Sequence, residues 1–180
     1  RRENYAAVVR HATVLTEFKE YRAKASLWLA NCALYLEKNQ NGLTFLKSAA
    51  EGAEHLDEAD LSWVIQTALD YRAFDLAQQI LLTAEAAGRG NYVLDAYQAR
   101  LHYENKEYER TLEILTDDFV SQYASNDGAT PFVFFIRGRS LDALGQYERA
   151  HKSYVLMNQI AERAYNEAKG RNYAAAFHAV

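Results

Sequence analysis

Residues 134–157 constrain the fold more than any other stretch of the chain. Phe134, Gly138 and Leu141 share one stripe of a predicted helix, which Gly145 interrupts. Four apolar or aromatic residues then recur at the spacing of a second amphipathic helix: Tyr147, Ala150, Tyr154 and Met157. The pattern predicts two antiparallel helices with a small residue where they cross.

The same arrangement recurs upstream at a measurable spacing. The aromatic residue that opens the second helix is Phe74, then Tyr108, then Tyr147, with steps of 34 and 39 residues. The longer step implies an insertion of five residues, which we place in the stretch SQYASNDGAT because its Asn-Asp-Gly cluster is typical of a loop. The next helix would begin with a capping threonine and a proline at its first position, Thr130 and Pro131.

This combination of aromatic, small and glycine positions at a 34-residue period resembles the tetratricopeptide repeat, over about residues 60–160. The resemblance implies an all-α fold, a right-handed α-solenoid of about three to four antiparallel helix pairs. Two positions depart from the family pattern: Ile65 stands where a small residue is usual, and Thr111 replaces an alanine. The proline that ends the family's repeat is also absent, since Glu162 stands near its place.

The remaining parts of the chain extend this organisation. We predict a degenerate helical repeat region in residues 1–56, the repeats in residues 57–170, and a capping helix or the start of a following element in residues 171–180. The last boundary rests on Gly170, which suits the end of a helix. Asp57 suits a helix cap, and the letters DEAD at residues 57–60 lack the phosphate loop of a helicase.

Within the N-terminal region, residues 4–38 contain neither glycine nor proline. Their apolar spacing favours two helices with a break near residues 19–25, the second capped by Ser26. Residues 39–42 have the composition of a turn, and residues 43–56 resume a helical pattern.

Composition limits the classes of function. The chain has 20 basic and 24 acidic residues and a net charge of -4, which argues against a general binder of nucleic acid or membrane surfaces. Cys32 is the only cysteine, so neither an internal disulfide nor a zinc finger is available, and we expect it to be buried. The five histidines are scattered, and no protease, hydrolase or phosphate-loop motif is present. We therefore predict no catalytic, metal or cofactor site.

A candidate binding surface follows from the repeat register. In stacked helix pairs the first helices line the concave wall. Gln66, Arg100 and Arg139 each lie eight residues before the aromatic of their unit and should form one column there. Tyr103 and Phe135 fall in flanking columns. Two arginines beside two aromatics suit a partner peptide that carries a carboxylate and an apolar side chain.

Two other interpretations bear on these residues. Arg139 could pair with Asp142, and Arg100 with Glu104, as ordinary ion pairs on exposed helix faces. The chaperone-binding members of the family grip a C-terminal carboxylate with lysines and asparagines, but here apolar residues stand where a basic one would be needed, Phe132 and Ile136. That particular mode of binding is not predicted.

The leading hypothesis is a non-catalytic protein-protein interaction module, a scaffold or adaptor that binds a partner peptide or helix on its concave face. One alternative is the helical N-terminal arm of a larger enzyme, such as a repeat-containing sulfotransferase or glycosyltransferase. Another is a membrane-tethered scaffold of a bacterial envelope or secretion assembly. We expect the chain to be a piece of a longer protein, in the cytoplasm, or in the periplasm if an upstream anchor or signal was removed. Self-association would use an apolar C-terminal face, Tyr173, Phe177 and Val180.

Overall fold

The computed structural model describes residues 2–36, 39–125 and 130–177, and these form helices and turns with no β-strand among them. The prediction of an all-α fold is confirmed. A 3₁₀ turn, Ala53–His55, lies between the third and fourth of the helices. In chain order the helices are α1 (Arg2–Leu15), α2 (Arg22–Tyr35), α3 (Asn39–Ala50), α4 (Glu58–Asp70), α5 (Phe74–Ala86), α6 (Tyr92–Glu104), α7 (Tyr108–Ile114), α8 (Asp117–Ala124), α9 (Pro131–Ala143) and α10 (Tyr147–Phe177).

The chain divides into two compact units, Arg1–Tyr97 and Gln98–Val180, with the division inside α6. In the first unit α2 packs mainly against α3, and α4 packs against α5. In the second unit α9 packs against both α7 and α10. The boundaries predicted at residues 56 and 170 stay predictions.

The N-terminal region forms two helices as predicted, but the break between them covers residues 16–21 instead of 19–25, and two further local predictions are wrong. Ser26 does not cap α2; it lies inside the helix, buried, and donates a hydrogen bond to Ser48 Oγ at 3.2 Å. Residues 39–42 are helical rather than a turn, because Gly42 lies directly against Leu34. A Cβ atom at Gly42 would lie 2.4 Å from a Leu34 methyl carbon, so this glycine allows close helix packing.

The start of α4 follows the sequence prediction. The carboxylate of Asp57 accepts a hydrogen bond from the backbone N–H of Asp60 at 2.9 Å, which caps the helix. Lys24 of α2 lies within ion-pair distance of the carboxylates of Asp57 and Asp60. The predicted stripe of small and apolar residues that precedes this cap is buried: Leu46, Ala49, Ala50 and Ala53.

The three aromatics that set the repeat register each open a helix, since Phe74, Tyr108 and Tyr147 are the first residues of α5, α7 and α10. The same turn precedes all three. The residue two positions before each aromatic has a left-handed backbone, with φ of 57° at Arg72, 62° at Lys106 and 73° at Gly145. The next backbone N–H bonds a carbonyl five residues earlier, at 2.8 to 2.9 Å: Ala73 to Ala68, Glu107 to His102, and Gln146 to Leu141.

The two departures from the family pattern are accommodated in different ways. Ile65 is fully buried in α4, so the core of the first unit has room for a large side chain there. Thr111 is also fully buried, and its hydroxyl donates to the carbonyl of Glu107 at 3.1 Å within its own helix. This local hydrogen bond removes the cost of placing a hydroxyl in a site suited to alanine.

The prediction that residues 121–130 form an inserted loop is partly wrong. Its first residues belong to α8, which Thr116 caps by accepting a hydrogen bond from the N–H of Phe119 at 3.1 Å. Its centre, residues 126–129, lies outside the described residues. The prediction for the following helix is confirmed in position, because Thr130 occupies the cap and Pro131 the first helical residue of α9. The Thr130 hydroxyl, however, bonds with the Tyr123 hydroxyl at 3.2 Å instead of capping the helix.

The last helix is longer than predicted. α10 continues through Gly170 to Phe177, so Gly170 does not end it. A glycine inside a helix costs only about 1 kcal/mol relative to alanine, and the alanines that follow favour continuation. The apolar face predicted for Tyr173, Phe177 and Val180 lies outside the residues whose side chains the structure describes.

The crossing of α9 and α10 gives the first testable prediction. A Cβ atom at Gly138 would lie 2.5 to 2.9 Å from three atoms of the Tyr154 ring. We expect Gly138→Ala to lower the free energy of unfolding by about 1 to 3 kcal/mol, because the ring must shift to admit a methyl group. Urea unfolding followed by circular dichroism measures this, with Gly90→Ala as control because a Cβ at Gly90 meets nothing within 4 Å. Equal stability of wild type and Gly138→Ala would contradict the prediction.

Candidate functional site

A groove in the second unit contains two of the residues that the sequence selected for partner binding. It has a volume of about 240 Å³, and its walls come from the C-terminal half of α6, the start of α7 and the end of α9. The lining residues are Tyr103, Tyr108, Arg139, Asp142 and Ala143. A cationic side chain therefore shares a small cavity with two aromatic rings and a carboxylate.

Arg139 and Tyr103 meet at this groove. The interaction of Arg139 with the Tyr103 side chain across this groove raises the pKa of Arg139 above its ordinary value. The ring of Tyr103 also lies against that of Tyr108, with centroids 6.2 Å apart and planes tilted by 53°. Arg139 itself is exposed, so part of its five-donor fork faces solvent.

Asp142, on the next turn of α9, accepts a hydrogen bond from the hydroxyl of Tyr154 at 2.6 Å. The Tyr154 ring rests on Gly138, so the glycine is what brings this hydroxyl within reach of the carboxylate. Partial burial, followed by the bond to Asp142 and its negative charge, raises the pKa of Tyr154 from 10 to about 12. Tyr103 contributes most to the raised pKa of Arg139, and the charge of Asp142, whose carboxylate is hydrogen-bonded by Tyr154, contributes less.

The other residues of the predicted surface are placed as follows. The guanidinium of Arg100 lies over the ring of Phe132 at 4.7 Å, a cation-π contact between α6 and α9. Phe135 is 38% exposed, one helical turn before Arg139. Gln66 is an exposed residue of α4 in the first unit, and the continuous column through Gln66, Arg100 and Arg139 stays a prediction.

A second polar cluster, which the sequence did not predict, is centred on Arg137 of α9. Only 3% of this residue is exposed, and its guanidinium donates three hydrogen bonds. Nε bonds the carbonyl of Leu115 at 2.9 Å, Nη1 bonds Ser153 Oγ at 2.9 Å, and Nη2 bonds the carboxylate of Asp117. A signal was present, because Arg137 lies four residues from both Val133 and Leu141, in a stripe that is otherwise buried and apolar.

Asp117 links this buried arginine to an exposed one. It is the first residue of α8, its side chain is 73% exposed, and Arg149 of α10 approaches it at 3.4 Å. Desolvation alone would raise the pKa of Asp117, but the charges of Arg137 and Arg149 outweigh it and lower the pKa. The cluster ties α8, α9 and α10 together through one carboxylate.

No family model, curated protein or solved structure matches this chain. Among the described residues, no helix is long and apolar enough to cross a membrane. In that same part of the chain, no group of three or more histidine, cysteine or acidic residues could hold a metal ion. The enzyme-arm and membrane-scaffold alternatives stay predictions.

The Tyr154–Asp142 hydrogen bond gives a prediction at alkaline pH. The folded state holds the proton of Tyr154 more tightly than an unfolded chain does. The protonated Tyr154 hydroxyl therefore stabilises the fold fully below about pH 10, and this stabilisation is lost as pH rises toward about 12. The ultraviolet difference titration of wild type against Tyr154→Phe should show one tyrosine that ionises near pH 12. In the Asp142→Asn variant the same titration should show a lower pKa for Tyr154, closer to the ordinary tyrosine value. A Tyr154 ionisation near pH 10 in the wild type would contradict this.

The Asp117 cluster gives a prediction at acid pH. The pKa of Asp117 is lowered in the folded state. Its ionised carboxylate therefore stabilises the fold above the unfolded pKa of about 3.8, and this stabilisation is lost as pH falls through the folded pKa. We expect Asp117→Asn to destabilise the chain by about 1 to 2 kcal/mol near neutral pH, the modest size reflecting solvent screening of an exposed carboxylate. Urea unfolding at neutral pH and well below pH 3.8 measures the change. A destabilisation of the same size at both pH values would show that the carboxylate charge is not its source.

Proposed function

We propose that this chain is a non-catalytic protein-protein interaction module, a scaffold or adaptor whose groove beside Arg139 binds an extended partner peptide. The observation that carries the proposal is the exposed guanidinium of Arg139 beside the Tyr103 hydroxyl, in a groove of about 240 Å³ with two tyrosine rings in its walls. A cation at the mouth of an aromatic-lined groove provides both charge recognition and apolar contact.

The chemistry of the groove favours a peptide with a carboxylate next to an apolar side chain. The guanidinium can bind a carboxylate through two parallel hydrogen bonds, and the tyrosine hydroxyl beside it supplies a further polar contact. The negative charge of Asp142 is engaged by the Tyr154 hydroxyl, which limits its repulsion of an anionic ligand. The exposed ring of Phe135, one turn away on α9, offers an apolar surface to the neighbouring side chain of the peptide.

We further infer that the helix pairs form a right-handed solenoid of the tetratricopeptide type. Three features support this: aromatics at 34 and 39 residues, the same left-handed turn before each of them, and a glycine beneath an aromatic where α9 meets α10. In such a solenoid α6 and α9 are consecutive first helices, consistent with the Arg100–Phe132 and Tyr103–Arg139 contacts. Their outer faces would then be part of one binding wall.

The test is a selection from a displayed library of random peptides, with wild type as bait. We expect enriched peptides to carry an acidic side chain or free C-terminal carboxylate next to an aromatic or aliphatic residue. Arg139→Glu should weaken their binding at least about tenfold, because one charge-assisted interaction becomes a repulsion. Fluorescence anisotropy of the selected peptides gives the dissociation constants.

Arg10→Glu is the matched control, because it reverses the charge of another exposed arginine, on α1 in the first unit. Circular dichroism confirms that each variant stays helical. Selected peptides that bind wild type, Arg139→Glu and Arg10→Glu equally would show that the groove is not the peptide site. Failure to enrich any peptide would count against an extended peptide as the partner.

A further inference from the structure

A second cleft in the second unit lies between α8, α9 and α10, on a side of α9 different from the Arg139 groove. It has a volume of about 320 Å³. Arg137 lines it from within and is buried, whereas Arg149 and Lys152 line it from α10 and are exposed. The complete lining is Asp117, Val120, Ser121, Ala124, Arg137, Arg149, Lys152 and Leu156.

The charges of this cleft are not balanced. Three cationic side chains and one carboxylate line it, which leaves two positive charges in excess. The carboxylate of Asp117 is shared between Arg137 and Arg149, and Arg149 approaches it only at 3.4 to 3.5 Å. Among the described residues, the exposed side chain of Lys152 has no hydrogen-bond or ion-pair partner. The excess charge is therefore on the two exposed side chains that a ligand could reach first.

We propose that this cleft binds the dianionic phosphoryl group of a phosphomonoester. Such a group carries close to two negative charges above its second pKa of about 6, which matches the two excess positive charges. A carboxylate would neutralise only one of them. Arg149 and Lys152 lie three residues apart on one face of α10, so both can contact the same group of oxygens.

The rest of the cleft indicates what the phosphoryl group is attached to. The Ser121 hydroxyl adds a polar donor near the α8 wall, and three apolar side chains complete the lining: Val120, Ala124 and Leu156. The buried guanidinium of Arg137 is held by Leu115, Ser153 and Asp117, so the back of the site is positioned before any ligand arrives. We therefore expect a phosphomonoester with an apolar or aromatic substituent to bind more tightly than inorganic phosphate.

A purely structural ion-pair network would explain Arg137 and Asp117 but not the exposed cations. Arg149 already donates a hydrogen bond to Gln146, the residue just before α10, at 2.8 Å. Neither Arg149 nor Lys152 is needed to satisfy a buried polar group, because Arg137 itself bonds Leu115 and Ser153. Neutralising Lys152 should thus leave stability nearly unchanged, and neutralising Arg149 should remove only an exposed ion pair with Asp117; either change removes charge from the cleft.

The experiment is an NMR titration of the whole chain with phenyl phosphate, inorganic phosphate and benzoate, above pH 7 where the phosphomonoester is a dianion. We expect phenyl phosphate to bind most tightly and to shift resonances of α8 and of α10 near Arg149. Arg149→Gln and Lys152→Gln should each weaken phenyl phosphate binding by about tenfold or more, the effect of losing one charge-assisted hydrogen bond. Arg10→Gln, which neutralises an exposed arginine of the first unit, should bind like wild type.

A second arm identifies the source of the phosphoryl group by comparing a phosphoserine peptide with its unphosphorylated form. Tighter binding of the phosphopeptide than of phenyl phosphate assigns the site to phosphorylated protein, and the reverse order assigns it to a small metabolite; both orders support a phosphomonoester site. Equal binding of phenyl phosphate and benzoate overturns the proposal. So does wild-type affinity in Arg149→Gln and Lys152→Gln, or the absence of binding at millimolar phenyl phosphate. Arg139 is unchanged in every variant, so this outcome is independent of the peptide groove.

Discussion

The close approach of Tyr154 to Gly138 is the contact on which the arrangement of the second unit depends. Without a Cβ atom on α9, the tyrosine ring of α10 can rest directly on the helix backbone. Its hydroxyl then reaches Asp142 one turn further along, and the carboxylate is engaged before a ligand is present. Arg139 lies between these two positions and is left to face Tyr103 and the groove. The absence of a side chain at Gly138 therefore affects the spacing of α9 and α10, the ionisation of Tyr154 and the charge in the groove.

The two arginines of α9 show how position on a helix determines chemistry. Arg137 and Arg139 are two residues apart and therefore point in different directions. Arg137 is buried and its hydrogen bonds hold α8 and α10 to α9, whereas Arg139 is exposed and shares a groove with a tyrosine of α6. A buried guanidinium requires several fixed acceptors, since desolvation of a charge is costly unless it is paired. The proposed phosphoryl cleft and the proposed peptide groove thus lie on different sides of the same helix, α9.

The glycines of this chain have different structural roles that their neighbours in the sequence do not distinguish. Gly145 ends a helix with a left-handed backbone, as its position between two helical patterns predicted. Gly42 and Gly170 were also predicted to lie at a turn or a helix end, as Gly145 does, but both lie inside helices. For Gly42 the reason is its contact with Leu34, a residue of another helix, which no local pattern contains. Residues 121–124 were predicted to be loop although they belong to α8, because the Asn-Asp-Gly cluster that indicates a loop begins only at residue 126.

The sequence alone determined the all-α class, the aromatic that opens each second helix, the Asp57 cap and the buried stripes of small residues. These features depend on hydrogen bonds and side-chain periodicity within a few turns, so a short stretch of sequence contains all the information. Tertiary structure decided that Ser26 and Arg137 are buried, that Gly42 packs instead of turning, and that Tyr103 and Arg139 share one groove. Each of these depends on partners between 8 and 36 residues away. Which polar side chains are buried and which stay exposed is therefore set by the packing of whole helices.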